Sequence, residues 1–203
     1  MPTLDIHTHL ANLYAAADDP WNTHASPYEQ GKFAKTVQSL PRTQYRCALE
    51  VGCGAGALTA HLAPRCDYLI ATDCTERALS VARSRVTHPH VTFTHGSVPA
   101  DWPNAVPDLI VLSEVLYFLT DAESVGLAAR ICQDTAADTD IVMVNWSGDT
   151  GGLISGRQAA DRLVTDLGHS CECTFSQVCS GFSIEVLRKG SFPRIGQMFS
   201  GTT

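Results

Sequence analysis

The run Glu50-Val51-Gly52-Cys53-Gly54-Ala55-Gly56 constrains this chain more than any other stretch, because an apolar strand passes into a helix through three glycines at alternate positions. Glycine lets the backbone turn sharply and bring its amides against a ligand without side-chain collision. Strand, turn and helix repeated in series build a mainly parallel sheet with helices on its faces. Asp73 ends the next apolar run, 23 residues after Glu50. A carboxylate there can accept both hydrogens of a ribose diol. Dinucleotide folds use the same acidic position, so Asp73 alone does not choose the ligand. Glu50 narrows the choice, because a carboxylate beside the turn repels a pyrophosphate and orients an ammonium group.

The spacing beyond the turn repeats this unit. Strands are expected over 46–51, 68–72, 91–95, 108–112 and 140–145, with an antiparallel hairpin over 170–178 and 182–188. Helices are expected over 56–63, 76–85, 121–134 and 157–167. The sum is an α/β three-layer sandwich around a mainly parallel seven-stranded sheet whose last strand is antiparallel. Upstream, Ser26 can cap a helix, Pro27 suits its first position, and Glu29 stands where a capping box needs it. Phe33, Val37 and Leu40 share one face of that helix, and Pro41 stops it. The length fits one domain over 1–203, with a helical cap at 1–45, a ligand-binding core at 46–189 and a tail at 190–203. The segment 147–156 holds four glycines in ten residues and reads as a loop.

A formal charge of −7, with 14 scattered Lys and Arg, argues against nucleic acid as a partner. No apolar stretch approaches the roughly 20 residues that cross a bilayer, and the one before Lys32 lacks a positive flank. A cytoplasmic protein is therefore expected, its eight cysteines reduced. No CxxC pair is present and no metal site is expected. The run Asp5-Ile6-His7-Thr8-His9 has the His-x-His form of barrel hydrolases, yet such barrels take about 250 residues; this segment reads instead as a disordered terminus. Oligomeric state stays open.

Around the glycine turn, five further runs carry a resemblance. They are Asp19-Pro20-Trp21, Ser26-Pro27-Tyr28-Glu29, Leu62-Ala63-Pro64-Arg65-Cys66-Asp67, Val98-Pro99-Ala100-Asp101-Trp102-Pro103 and Asp108-Leu109-Ile110-Val111-Leu112-Ser113-Glu114-Val115. The chain resembles the Rossmann-like class I S-adenosylmethionine-dependent methyltransferases, and more narrowly the nodulation N-methyltransferase family NodS, over about residues 18 to 189. The resemblance implies S-adenosyl-L-methionine as cofactor. Gly52, Cys53 and Gly54 are then expected at its methionine end beside Glu50, Asp73 at its ribose and Cys74 at its adenine. Relatives usually offer an acidic residue to the adenine amino group; here Ser97 follows Gly96, and the backbone of Val98 is the alternative. Ser113, Glu114 and Val115 face the sulfonium, and Trp21 and Tyr28 belong near the cofactor.

For an amine acceptor, Glu114 and Tyr117 are the candidates to orient the nitrogen or receive its proton. Trp21, His24, Tyr28, Tyr117 and Trp146 are expected to wall the acceptor pocket, with Glu114 attracting a cationic amino sugar. The implied acceptor is the terminal glucosamine of a de-N-acetylated chito-oligosaccharide in Nod factor biosynthesis. A methyltransferase of another small molecule, a nicotinamide-dependent oxidoreductase and a non-catalytic binding protein remain alternatives.

Overall fold

Strands that read as unbroken apolar runs are strands covered on both faces. In the computed structural model, which describes residues 6–190, four of them form the sheet centre: β1 (Ala48–Val51), β2 (Leu69–Asp73), β4 (Leu109–Ser113) and β5 (Asp140–Trp146). β3 (Val91–His95), β6 (Cys171–Val178) and β7 (Phe182–Lys189) complete the seven-stranded order β3-β2-β1-β4-β5-β7-β6. The pairings among β1 to β5 are all parallel. The final strand β7 runs antiparallel to both β5 and β6, so the expected hairpin inserts its second arm into the sheet. The expected tail over 190–203, apart from Gly190, lies outside the described residues, as does Asp5.

Among the described residues six α-helices cover the sheet: α1 (Ile6–Ala16), α2 (Pro27–Gln38), α3 (Ala57–Leu62), α4 (Glu76–Arg85), α5 (Asp121–Asp134) and α6 (Gly156–Leu167). One core layer joins Leu127, Ile131 and Leu163 of α5 and α6 to Leu49, Ile110 and Met143 of the strands. The other joins Phe33 of α2 and Leu58 of α3 to Leu69, Val111 and Val144. The strands after β1 are added outward to one side as β2 and β3 and to the other as β4 and β5, and this switch in winding opens a crevice at the carboxyl ends of β1 and β4. Fully buried Asp140 ties this frame together: it accepts hydrogen bonds from Tyr45 Oη at 2.8 Å and from Arg188 Nε and Nη2 at 2.9 and 2.8 Å.

Three local expectations are corrected. The segment read as disordered is helical from Ile6, and it carries a signal that the metal question obscured: Ile6, Leu10, Leu13 and Tyr14 repeat at helical spacing. Glu29 does not complete a capping box; Ser26 Oγ accepts from Glu29 N, while the Glu29 carboxylate turns to Lys32 Nζ at 2.9 Å. β1 begins at Ala48 instead of 46, because the amides of Arg46 and Cys47 donate to the Asp108 carboxylate at 3.2 and 3.0 Å.

A formed capping box opens α6, where Ser155 Oγ accepts from Gln158 N at 3.3 Å and Gln158 Oε1 accepts from Ser155 N at 3.1 Å. Ser155→Ala is expected to lower stability by about 1 kcal/mol, read from the urea midpoint at unchanged slope. Among the described residues no helix is long and apolar enough to cross a membrane.

Candidate active site

At the carboxyl end of β1 the glycine turn is held from beneath by the neighbouring strand. Gly52 N and Cys53 N both donate to Thr72 O, at 2.8 and 2.9 Å. Asp73 clasps the turn from the side: Oδ2 accepts from Gly54 N at 2.9 Å and Oδ1 from Thr75 N at 2.8 Å. Each oxygen keeps a lone pair for a ligand hydroxyl. Burial raises the Asp73 carboxyl above its ordinary range, against the pull of those two amides. Gly54 has φ +54, and a β-carbon there lies 2.6 Å from Tyr14 Oη, so any other residue would strain the backbone and displace the Tyr14 hydroxyl.

Glu50 stands under the same turn with 2% of its surface exposed. Burial pushes its carboxyl up to about 8, although Thr59 Oγ1 donates to it at 2.7 Å and favours the ionised form. A carboxyl so deprived of water invites a cation as partner.

Across the crevice, Glu114 follows β4 with φ +59, a left-handed conformation that costs a non-glycine residue about 1 to 3 kcal/mol. Its amide, donating to Val144 O at 2.8 Å, fixes that conformation. Oε1 accepts from Lys32 Nζ at 2.8 Å, and Oε2 accepts from Tyr117 Oη and Trp146 N at 2.9 Å each. Tyr117 is therefore a donor, and burial followed by the charge of Glu114 holds its phenol protonated. Its hydroxyl is turned onto Glu114, which it orients. Lys32 is 5% exposed; burial opposes its charge, but Glu114 and Glu29 outweigh burial and raise the ammonium above its usual range.

These groups face one cavity of about 720 Å³. Along its floor lie Glu50, Gly52, Cys53 and Gly54, and then Asp73 and Cys74. Gly96, Ser97 and Val98 close one end, where Ser97 N is already bound to Asp101 Oδ2 at 2.8 Å. Ser113, Glu114, Val115 and Tyr117 form the opposite wall, and Trp21, Tyr28 and Trp146 the rim. Tyr28 meets Trp146 edge to face at 5.9 Å, and Trp21 meets Tyr14 at 5.7 Å. His24 is absent from the wall. Its Nε2 lies 2.9 Å from Ala55 O, because both oxygens of Asp19 bind the amides of Thr23 and His24 and curl the loop inward. His24 therefore props the glycine turn from behind.

With this geometry in view, comparison with known proteins is decisive. A profile of the family described as Nodulation protein S (NodS) matches residues 5–149, well over half of the chain. The chain belongs to the NodS family. Nodulation protein S of Rhizobium tropici is 38% identical over 121 residues, which cover 59% of this chain and 51% of that protein. Its counterpart from Sinorhizobium fredii is 37% identical over 124 residues, 60% of this chain and 57% of that protein. The chain thus spans little more than half the length of the curated relatives it matches. The crystal structure of N-methyltransferase NodS from Bradyrhizobium japonicum in complex with S-adenosyl-L-homocysteine superposes with a TM-score of 0.77 at 23% identity, covering 90% of this chain and 97% of that one. A putative methyltransferase from Pseudomonas syringae gives 0.70 at 30% identity over 80% and 99% of the two chains. The fold is that of class I methyltransferases.

Within this NodS family member, Tyr14 and Lys32 are among the cavity residues that sequence reasoning missed. Tyr14 projects from α1 to the glycine turn, with its phenol held protonated by burial and by Asp73.

Proposed function

We propose that this chain transfers a methyl group from S-adenosylmethionine to the free amine of the terminal glucosamine of a de-N-acetylated chito-oligosaccharide, a step of Nod factor biosynthesis. The observation that carries the reading is the pairing, in one cavity, of dry Glu50 beneath the glycine turn with Glu114 across from it. Family membership supports it over the nicotinamide-dependent alternative, as does a buried carboxylate where a pyrophosphate would otherwise lie.

The donor supplies a methyl carbon already activated by positive sulfur, so the protein's task is placement and exclusion of water. Glu50 takes the ammonium of the amino-acid portion, Asp73 the ribose hydroxyls, and the amides of Gly52 to Gly54 the remaining edge. Cys74 and the segment from Gly96 to Val98 flank the adenine, with Ser97 Oγ free to meet a ring nitrogen. Ser113, Val115, Trp21 and Tyr28 close around the reacting carbon. Glu114, held still by Lys32, Tyr117 and Trp146 N, accepts a hydrogen bond from the acceptor nitrogen and then its proton. Trp21 and Trp146 offer apolar faces to sugar rings. The acidic balance of the chain favours such an acceptor over nucleic acid, and eight unpaired thiols favour a reducing, cytoplasmic setting.

A radiolabelled-methyl assay tests the acceptor. Label is expected on a chito-oligosaccharide whose terminal sugar carries a free amine and absent from its fully acetylated counterpart, since an amide nitrogen has no available lone pair. Label on both, or on neither, removes the amino-sugar assignment.

A further inference from the structure

Among the described residues lining the cavity, Lys32 is the one lysine or arginine, and it lies within an otherwise acidic wall. The groups that face it are Glu29 and Tyr28 from its own helix and Glu114 from the segment after β4, where Tyr117 in turn donates to Glu114. Elsewhere around the cavity stand Glu50, Cys53, Asp73 and Cys74, with Glu123, Asp149, His7 and Tyr14 completing the titratable set. Lys32 Nζ sits 2.9 Å from Glu29 Oε2 and 2.8 Å from Glu114 Oε1, while Glu114 is 23% exposed and reaches the cavity. One ammonium is thus shared by two carboxylates, and the trio carries a net charge of −1.

That charge matters to an amine. A carboxylate facing an amino group favours its ammonium form, which has no lone pair to attack carbon. We infer that Lys32 is a positioning residue: by sharing the charge of Glu114 it keeps that carboxylate from trapping the acceptor as its ammonium, so that the neutral amine is the form held in place. The inference rests on the amine-methylation reading above. In the step it serves, the carbon–sulfur bond breaks with its electron pair going to sulfur. The nitrogen lone pair forms the new carbon–nitrogen bond, and the proton shed by nitrogen passes to Glu114 and thence to water.

Charge counting fixes the signs. Replacing Lys32 by Met takes the trio from −1 to −2, and replacing Glu29 by Gln takes it to 0. At separations of about 5 to 8 Å and an effective dielectric near 20, one unit of charge moves the amine titration by about 1.5 to 2.5 pH units. The experiment is kcat/KM for the free-amine chito-oligosaccharide against pH, with donor affinity measured alongside by calorimetry. The acidic limb is expected about 1 pH unit or more higher in Lys32→Met, lower in Glu29→Gln, and unmoved in Lys32→Arg, with donor affinity within threefold throughout. A loss of the same factor at every pH, or donor affinity down tenfold in Lys32→Met, overturns the inference and leaves Lys32 a structural or donor-binding group. Should Lys32→Met not fold, Glu29→Gln decides by itself, and a limb that stays put or rises there overturns it. A natural chain that methylates no amine at all overturns the acceptor reading as well, and that failure is seen in the unsubstituted protein before any variant is compared.

Discussion

Glu50→Gln is expected to bind S-adenosylmethionine about a hundredfold more weakly than the natural chain while unfolding at a higher temperature when no ligand is present. Both halves follow from one fact, that Glu50 is a carboxyl removed from water with its titration pushed up to about 8. A charge-assisted hydrogen bond from the donor's ammonium is worth about 1.5 to 3 kcal/mol, and losing it costs one to two orders of magnitude in affinity. In the ligand-free protein the same group is a burden. Its folded titration lies above the unfolded value of about 4.3, so the folded state holds the proton more tightly and stability falls as pH rises between the two. The glutamine gains nothing near pH 4 and the most at pH 8 and above, on the order of a few kcal/mol. The hydroxyl of Thr59 keeps an acceptor in the amide oxygen, so no partner is stranded.

A third consequence follows from the same linkage. Donor binding near pH 7 ionises a carboxyl that was mostly protonated, so it releases close to one proton and tightens by up to about tenfold per pH unit below 8. Calorimetry in buffers of different ionisation heat measures the release, and thermal melts across pH measure the stability. Unchanged affinity and no proton release in the natural chain remove Glu50 from the donor site.

Those parts of the architecture that depend on neighbours along the chain are legible in the amino-acid order alone. Apolar runs ending in Glu50, Asp73 and Ser113 set three strand ends to within a residue or two, because a strand covered on both faces has no polar alternation to blur its limits. The helices at 76–85 and 121–134 need no adjustment. What stays hidden depends on partners distant along the chain. Lys32 carries no mark of burial in its own surroundings, because lysine is almost never buried unpaired and its partner Glu114 lies 82 residues away. Tyr117 resembles a base because a phenol near a carboxylate suggests proton transfer, and only the surrounding burial makes it a fixed donor. His24 is drawn toward the pocket by its neighbour Trp21. The turn built by Asp19 sends the two apart, Trp21 to the rim and His24 to Ala55 O. α1 has no acidic residue in its first turn, so the usual sign of a helix start is missing there.

The second large effect is expected at Glu114. Glu114→Gln should lower kcat/KM for the free-amine acceptor by about a hundredfold to a thousandfold, the range a positioned acid–base group contributes, with donor affinity held within threefold. The amide matches the carboxylate in shape and keeps the same left-handed backbone, so the strain at φ +59 is unchanged and cannot be the cause. What changes is the set of hydrogen bonds. If the amide oxygen keeps Tyr117 Oη and Trp146 N, its NH2 faces the Lys32 ammonium where Oε1 stood 2.8 Å away, and two donors oppose each other. If the amide flips, the conflict moves to Tyr117 and Trp146. Either orientation removes the acceptor that the substrate nitrogen needs and takes from a buried lysine one of its two counter-charges, leaving it Glu29 alone. Tyr117→Phe separates orientation from proton transfer: it deletes one of three bonds to Glu114 but leaves the charge, so a loss of about tenfold is expected, an order of magnitude or more short of Glu114→Gln. Equal losses in the two variants make Glu114 a scaffold like its partner, and turnover undiminished in Glu114→Gln takes the proton away from it altogether.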